Sequence, residues 1–373
     1  METKVLTVDP ASAGTTAIQA ALDVLDRGGL VAFPTETVYG LGARVDKPGA
    51  IRRLRDVKGR SGEKALTVHI GSREDASQFV PHLESLAQRL MRKGWPGPLT
   101  LVFTVEDPAQ APVMTRLNGS AASVMYYDGT IGLRCPDDPV ALALLRQTPA
   151  PVVATSANVA GHAPPMMAAE VLKELDGQID LLVDAGRTRY NRPSTIVRVR
   201  GRSFEVLREG VLDKRIIEHM ATLRFLFVCS GNTCRSPMAA AFARKMLADR
   251  LGCEVKDLGR WGIVVESAGA SAGFGPASPF AVEVMARRNI DLSSHAASPL
   301  RAEVLQQADY VFVMTEAHRD RVMEMAPSTA DRVHTLLDRA DIQDPMGGSV
   351  DDYEACAERI VSGLEFRLKE IVL

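Results

Sequence analysis

Two patterns of apolar and polar positions divide the chain. From Leu30 to Leu207, short runs rich in Val, Leu and Ile alternate with stretches in which apolar residues recur every three or four positions. The runs predict strands at Leu30–Phe33, Leu66–Ile70, Leu99–Val105, Ile131–Arg134, Val152–Thr155, Leu181–Val183, Thr195–Val199 and Phe204–Leu207. Helical spacing at Thr15–Leu25, Ala50–Val57 and Val140–Arg146 fills much of the space between them, so this half is expected to be a mixed, twisted sheet with flanking helices. Around Leu212–Thr222 the pattern changes to one short polar helix, and a new apolar run, RFLFV, follows at 224–228. We therefore expect a first domain at 1–212, a linker at 213–222 and a second domain at 223–373.

The second half reads as strand Phe225–Val228, helix Met238–Asp249, strand Val264–Ser267, helices Phe280–Arg288 and Ala302–Gln307, strand Tyr310–Met314, helix Ala317–Met325, strand Val333–Leu337 and a closing helix Tyr353–Ile371. Strands alternating with helices at this spacing imply parallel crossovers and a doubly wound sheet. Such α/β sheets bind ligands at the carboxyl ends of their strands.

Composition adds limits. A chain of 373 residues exceeds the usual growth of one core, which agrees with two domains. Lys and Arg total 44 against 46 Asp and Glu, so the net charge of −2 supplies no general field for nucleic acid or an anionic membrane. The five cysteines, Cys135, Cys229, Cys234, Cys253 and Cys356, are an odd set without a secretory leader or a membrane-length apolar run. The expectation is a cytoplasmic protein with free thiols and no membrane partner.

The sharpest chemistry lies at Val228-Cys229-Ser230-Gly231-Asn232-Thr233-Cys234-Arg235-Ser236-Pro237, between a strand and a helix. Ser236 suits an N-cap and Pro237 a first helical position, so loop amides and the helix N-terminus are expected to converge on one anion site. A thiolate of Cys229 on that rim gains from the dipole, the N–H groups and the Arg235 guanidinium. Arg235 can also bind two phosphoryl oxygens at once. A chance match around a buried core cysteine explains less, because it leaves the preceding strand and the capped helix unaccounted for. The leaving group needs an acid, and Asp344 in the turn-rich Gln343-Asp344-Pro345-Met346-Gly347-Gly348 is the candidate.

These residues resemble the low-molecular-weight protein tyrosine phosphatase family, as do Ser267-Ala268-Gly269, Ala308-Asp309 and Met314, over essentially all of 223–373. The resemblance implies Cys229 as nucleophile through a phosphocysteine, Arg235 as transition-state clamp and Asp344 as general acid, with no cofactor. It also implies a phosphate loop of Ser230, Gly231, Asn232, Thr233, Cys234 and Ser236, in which Asn232 and Ser236 orient the loop and the thiolate. Thr233 stands where tyrosine phosphatases of the family usually carry a larger aliphatic residue, and with Asp-Pro-x-Gly-Gly-Ser it resembles the protein arginine phosphatase branch. Met346 departs from that branch, which tends to have an aromatic there, so phosphotyrosine is the alternative. Cys234 is either a partner for a protective disulfide or a passive packing thiol. Arsenate reductases share the fold and loop but need resolving cysteines near the site.

In the first half, Gly29–Gly42 is a strand running into a loop rich in hydroxyls and glycine. Lys58 and Arg60 bring two cations together, His69 lies inside the apolar run LTVHI, and Ser156-Ala157-Asn158 follows a strand. Taken singly, each also fits a solvated face, a satisfied buried histidine or a tight turn. Together with Trp95-Pro96-Gly97-Pro98-Leu99-Thr100, Leu133-Arg134-x-Pro136, Ser194-Thr195 and Leu207-Arg208-x-Gly210, they resemble the threonylcarbamoyl-adenylate synthase family across 17–212. The resemblance implies synthesis of threonylcarbamoyl-AMP from L-threonine, bicarbonate and ATP with Mg²⁺, for tRNA modification. It implies Thr35, His69, Arg134 and Ser194 around threonine, and Lys58, Arg60, Ser156, Asn158 and Arg208 around ATP, with no metal-binding side chains. The implied partners are those substrates, a phosphorylated protein and tRNA-modification proteins. Ser61 and Ala65 stand where the family often has proline. An RNA-binding module is the alternative for this half.

Overall fold

The structure is a computed structural model that describes residues 2–9, 15–59, 66–117, 119–338, 340–371 and 373. Chain contacts divide it into two units, Met1–Ala221 and Thr222–Leu373. Among the described residues no helix is long and apolar enough to cross a membrane.

In the first unit the strands are β1 (Lys4–Thr7), β2 (Val31–Phe33), β3 (Gly40–Arg44), β4 (Thr67–His69), β5 (Leu99–Thr104), β6 (Tyr126–Tyr127), β7 (Thr130–Arg134), β8 (Val152–Ser156), β9 (Leu181–Asp184), β10 (Thr195–Arg200) and β11 (Ser203–Arg208). They form one sheet in the order β1-β9-β2-β3-β8-β4-β7-β5-β10-β11, with β6 paired to β7. Parallel pairs such as β4–β7 and β5–β10 mix with antiparallel pairs such as β2–β3 and β5–β7, which is the expected mixed sheet. The strands bury both faces. Val31, Phe33 and Val152 pack into a layer with Ile18, Leu25 and Leu144 of the helices Thr15–Asp26 and Pro139–Gln147, while Leu30, Ala32, Leu41 and Val153 join the larger opposite layer.

Two expectations are corrected. Residues 40–42, read as the end of a loop rich in hydroxyls and glycine, begin the strand Gly40–Arg44, which is buried along its whole length. A Cβ on Gly42 would lie 2.8 Å from Phe33 Cε1 and 3.1 Å from Val152 Cγ1, so glycine is what lets the Phe33 ring lie across this strand. The short polar helix expected at Leu212–Thr222 forms as Lys214–Ala221, but it is no linker: its Ile217, Met220 and Ala221 are buried in the core of the first unit. Its polar face had hidden an apolar stripe.

The second unit contains β12 (Leu223–Cys229), β13 (Ile263–Gly269), β14 (Tyr310–Val313) and β15 (Val333–Thr335), all parallel, in the order β13-β12-β14-β15. Phe225 and Phe227 face one helical layer and Leu226 and Val228 the other. The chain leaves β12 for β13 on one side and then crosses to β14 on the other. The carboxyl end of β12 is therefore the switch point at which the flanking crossovers diverge, and Cys229 is its last residue.

Because Gly42 has no room for a methyl group, Gly42→Ala is expected to destabilise the first unit by about 1–3 kcal/mol, the usual overpacking range. Urea unfolding of wild type and variant measures it, and an unchanged midpoint would show that Phe33 can shift freely.

Candidate active sites

The loop after β12 is organised by one side chain. Asn232 is fully buried at a φ of +55°, a left-handed conformation that asparagine tolerates better than most residues. Its Nδ2 donates to Ser236 Oγ and Ser267 Oγ, both at 2.9 Å, and its Oδ1 accepts from Ser298 N at 2.8 Å. His295 Nε2 lies 2.8 Å from its carbonyl oxygen. With these bonds the loop is tied to β13 and to the segment beyond it, and Asn232 N–H is aimed at Cys229 Sγ at 3.2 Å. Ser236 Oγ is 3.0 Å from the same sulfur and, having accepted from Asn232, can donate to it.

The helix starts two positions earlier than expected, at Arg235, with Cys234 as its N-cap residue. Ser236 is therefore not the cap; its hydroxyl is drawn inward by Asn232 and the sulfur. Arg235, only 3% exposed, donates from Nη1 to Ile342 O at 3.0 Å and from Nη2 to Ser230 Oγ at 3.1 Å, and pairs through Nη2 with Asp344 Oδ2. Its Nε is buried without a partner among the described residues. Asp344 itself is 41% exposed, and its other oxygen accepts from Met346 N at 3.2 Å. The structure thus gathers Cys229, Arg235, Asp344, Ser230, Asn232 and Ser236 at one strand end, with Gly231 and Thr233 in the same loop. Thr233 is half-buried, its carbonyl accepting from Ser278 N at 2.9 Å. Cys234 is buried with its sulfur 3.2 Å from Tyr353 Oη. Burial, and then the bond to Cys234, push the Tyr353 phenol up to about 12.

Sequence reasoning missed Ser267, His295, Tyr353 and His318. His318 is the third residue of a helix capped by Thr315, and its Nε2 lies 2.9 Å from Ser230 Oγ. A Thr-x-x-His immediately after an apolar strand is the signal that could have found it.

In the first unit, a cavity of about 240 Å³ is lined by Thr35, His69, Arg134, Ser156, Ser194 and Arg208, six of the expected site residues, together with Tyr39, Thr67 and Thr100. Larger clefts of about 420 and 530 Å³ also lie in this unit; the second shares His69 with the cavity, but neither gathers the other expected site residues. Strands β4 and β7 end together at this cavity, which brings His69 beside Arg134. Arg134 Nη2 donates to Thr37 Oγ1 at 2.6 Å and to Glu36 Oε1 at 3.0 Å, and reaches Thr35 Oγ1 at 3.4 Å. Thr35 in turn donates to Val38 O at 2.7 Å, which fixes the loop between β2 and β3. Arg208 Nη2 donates to Ser194 O at 2.8 Å, and Ser194 Oγ is 3.0 Å from Thr100 Oγ1. Burial, then the neighbouring Arg134 charge, lower the Arg208 pKa. The same two causes depress His69 to about 3, so its ring is neutral.

Lys58 is 2% exposed. Its Nζ donates to Ser156 O at 2.7 Å, Asn158 Oδ1 at 3.0 Å and Asn158 O, and so stitches the turn after β8. Neither Lys58 nor Asn158 lines the cavity; Lys58 touches it only through Ser156. Arg60 lies outside the described residues, as do Ser61 and Ala65. Thr37, Glu36 and Thr100 were missed because hydroxyls and a lone acid within a buried motif carry no distinctive spacing.

Comparison with known proteins matches residues 23–210 to the family described as Telomere recombination (Sua5_yciO_yrdC) and residues 224–371 to the family described as Low molecular weight phosphotyrosine protein phosphatase. The threonylcarbamoyl-AMP synthase of Bacillus subtilis strain 168 is 35% identical over 210 residues, covering 56% of this chain and 58% of that protein. The chain thus spans a little over half the length of that relative. The crystal structure of Pyrococcus abyssi Sua5 complexed with L-threonine is similar in fold, with a TM-score of 0.50 at 22% identity over 72% of this chain and 92% of that one. The YwlE arginine phosphatase from Geobacillus stearothermophilus is 33% identical, with a TM-score of 0.35, over 40% of this chain and 92% of its own.

The neutral state of His69 has a pH consequence. An unfolded histidine titrates near 6.5, well above the folded value of about 3, so between these limits the unfolded chain binds the extra proton. Stability is then lost as pH falls from about 6.5 towards 3, and His69→Gln is expected to flatten that part of the profile. Thermal unfolding of both proteins from pH 7 to pH 4 tests it; parallel profiles would remove His69 as the cause.

Proposed function

The chain belongs to the Sua5/YrdC family through residues 23–210 and carries a low-molecular-weight phosphatase domain over residues 224–371, and from that premise we propose a bifunctional enzyme. One unit makes L-threonylcarbamoyladenylate from threonine, bicarbonate and ATP; the other hydrolyses a phosphorylated protein, with phosphoarginine the favoured substrate.

For the phosphatase, the observation that carries the reading is the convergence of Cys229 Sγ, the Arg235 guanidinium and Asp344 at one strand end. Cys229 as thiolate attacks phosphorus in line, forming the S–P bond as the P–N or P–O bond breaks. Asp344 protonates the departing group. Water then attacks phosphorus, the S–P bond breaks, and Asp344 takes the proton. Arg235 holds equatorial oxygens throughout, and its buried Nε is a donor suited to one of them.

Thr233 supports phosphoarginine, because a hydroxyl there can hydrogen-bond a guanidinium or the attacking water. Met346, 62% exposed beside Asp344, favours the second reading, phosphotyrosine, since it offers an apolar wall to a ring. Thr233→Ile is expected to lower phosphoarginine hydrolysis by roughly ten- to a hundredfold while sparing phosphotyrosine, as loss of a polar contact in a dry pocket costs about 1–3 kcal/mol. Comparing kcat/KM on both substrates decides it: a parallel fall on both would mean general loop damage, and a wild type preferring phosphotyrosine would overturn the assignment.

For the synthase, the supporting observation is the cavity in which Arg134 and Arg208 meet buried hydroxyls around a neutral His69. Thr35, His69, Arg134 and Ser194 would hold threonine, and Lys58, Arg60, Ser156, Asn158 and Arg208 the nucleotide. The work is positioning: the carbamate is kept from water and presented to the α-phosphate while cations take the charge of pyrophosphate. The described residues hold no cluster of three or more His, Cys, Asp or Glu suited to a metal. The Mg²⁺ expected with ATP would travel on the triphosphate, and no step is assigned to it. Pyrophosphate release that requires threonine and bicarbonate separates this reading from an RNA-binding module. Lys58→Ala is expected to abolish that release, since it removes a cation and unties the Ser156–Asn158 turn; unchanged release would exclude Lys58 from the site.

A further inference from the structure

We infer that His318 is a positioning residue of the phosphatase reaction, acting on Arg235 through the hydroxyl of Ser230. The inference rests on the phosphatase reading of this site and adds to it a residue outside the catalytic loop. His318 lies on the helix Glu316–Met325, is 7% exposed, and uses both ring nitrogens. Its Nδ1 is 2.7 Å from Thr315 Oγ1 and its Nε2 is 2.9 Å from Ser230 Oγ, which also accepts from Arg235 Nη2 at 3.1 Å. A continuous chain thus runs from the helix cap through His318, Ser230 and Arg235 to Asp344.

Proton accounting gives the chain a direction. Arg235 can only donate, so Ser230 Oγ accepts there and keeps its own proton for another partner. The neutral His318 ring accepts that proton at Nε2 and donates from Nδ1 to Thr315 Oγ1, which also accepts the His318 backbone N–H at 3.3 Å. The reverse tautomer makes Ser230 Oγ accept twice and leaves its proton with neither neighbour. Burial first, then the Arg235 charge, lower the His318 pKa against the opposing charges of Asp344 and Asp341, which agrees with a neutral ring.

The consequence is a fixed guanidinium plane. Arg235 is anchored by Ile342 O on one nitrogen and by Ser230 Oγ on another, and the second anchor is only as rigid as the serine rotamer. With its proton committed to His318, Ser230 has one orientation. Without His318 the hydroxyl can rotate, and Arg235 loses alignment towards oxygens whose charge grows in the transition state. The loss therefore falls on kcat more than on KM.

The test is a double-mutant cycle on the full chain, with kcat and KM measured on p-nitrophenyl phosphate and on phosphoarginine. His318→Phe is expected to lower kcat roughly ten- to a hundredfold, the range for loss of one buried polar contact, with KM within about twofold. His318→Gln, whose amide oxygen can take the Ser230 proton, should recover much of that loss. In a Ser230→Ala background His318→Phe should change nothing further, because the path to Arg235 is already cut. Thermal unfolding checks that each variant folds, and His318→Asn, whose amide stops short of Ser230, repeats the cycle if the phenylalanine variant does not. Equal kcat in wild type and His318→Phe, or the same fall with and without the Ser230 hydroxyl, overturns the inference and leaves the ring a packing role. A wild type that hydrolyses neither substrate overturns the phosphatase reading, and this inference with it.

Discussion

Both sites are built around a guanidinium that the fold takes out of water. Arg134 is 5% exposed and Arg235 is 3% exposed. Arginine cannot shed its proton on burial, so the surrounding chain must supply acceptors for a permanent cation. In each unit the same kind of answer appears. One nitrogen meets a carboxylate, Glu36 or Asp344, and neutral acceptors sit beside it: Thr37 and Thr35 for Arg134, Ser230 and Ile342 O for Arg235. The Nε of each is buried without a partner among the described residues. That leftover donor, next to one already engaged, suits an anion with two oxygens. Much of the local architecture follows from this need, including the loop between β2 and β3 that delivers Glu36 and the acid loop that delivers Asp344.

Charge in the first unit is balanced with the same economy. His69 borders the Arg134 guanidinium, and a proton on its ring would place another cation in a space already shared with Arg208. Burial and the Arg134 charge both disfavour that proton. The neutral imidazole then contributes shape and one acceptor or donor, while positive charge remains on the arginines that can hold it in fixed geometry. Lys58 is satisfied differently, by carbonyl oxygens of the Ser156–Asn158 turn, so its ammonium is part of the scaffold that shapes the rim.

The strands were legible where apolar runs were nearly continuous, as in β5, β8 and β12, because burial on both faces leaves a continuous hydrophobic signal, and in β10 through alternation of buried and partly exposed positions. Gly40–Arg44 was not legible, since strand propensity counts against glycine and the reason for Gly42 is a ring from a neighbouring strand. Helix Lys214–Ala221 was legible as a helix but its place in the first unit's core was not, because four charged or polar side chains dominate eight residues and the buried Ile217 and Met220 speak only through their partner helix Ser85–Gly94. Of the phosphatase site, Cys229 and Arg235 could be read from spacing alone. The orienting roles of Asn232 and Ser236 came only with the family resemblance, and that of His318 not at all, because they lie in contacts between residues as far as 88 positions apart.

The two carboxylates that neutralise these arginines differ in a way that matches different chemistry. Glu36 has a fully buried side chain, with one oxygen on Arg134 and the other enclosed without a partner. A carboxylate so enclosed cannot leave without stranding its arginine, and it has no path to exchange a proton with water; its part is to hold Arg134 in place. Asp344 is 41% exposed and sits in a loop whose Gly347 adopts a φ of +82°. An incoming phosphoryl group would compete for the same Arg235 nitrogen and free the carboxylate at the rim. The same ion-pair motif thus yields a fixed brace when sealed in the core and, at the rim, a carboxylate able to leave its arginine, as the acid role proposed for Asp344 requires.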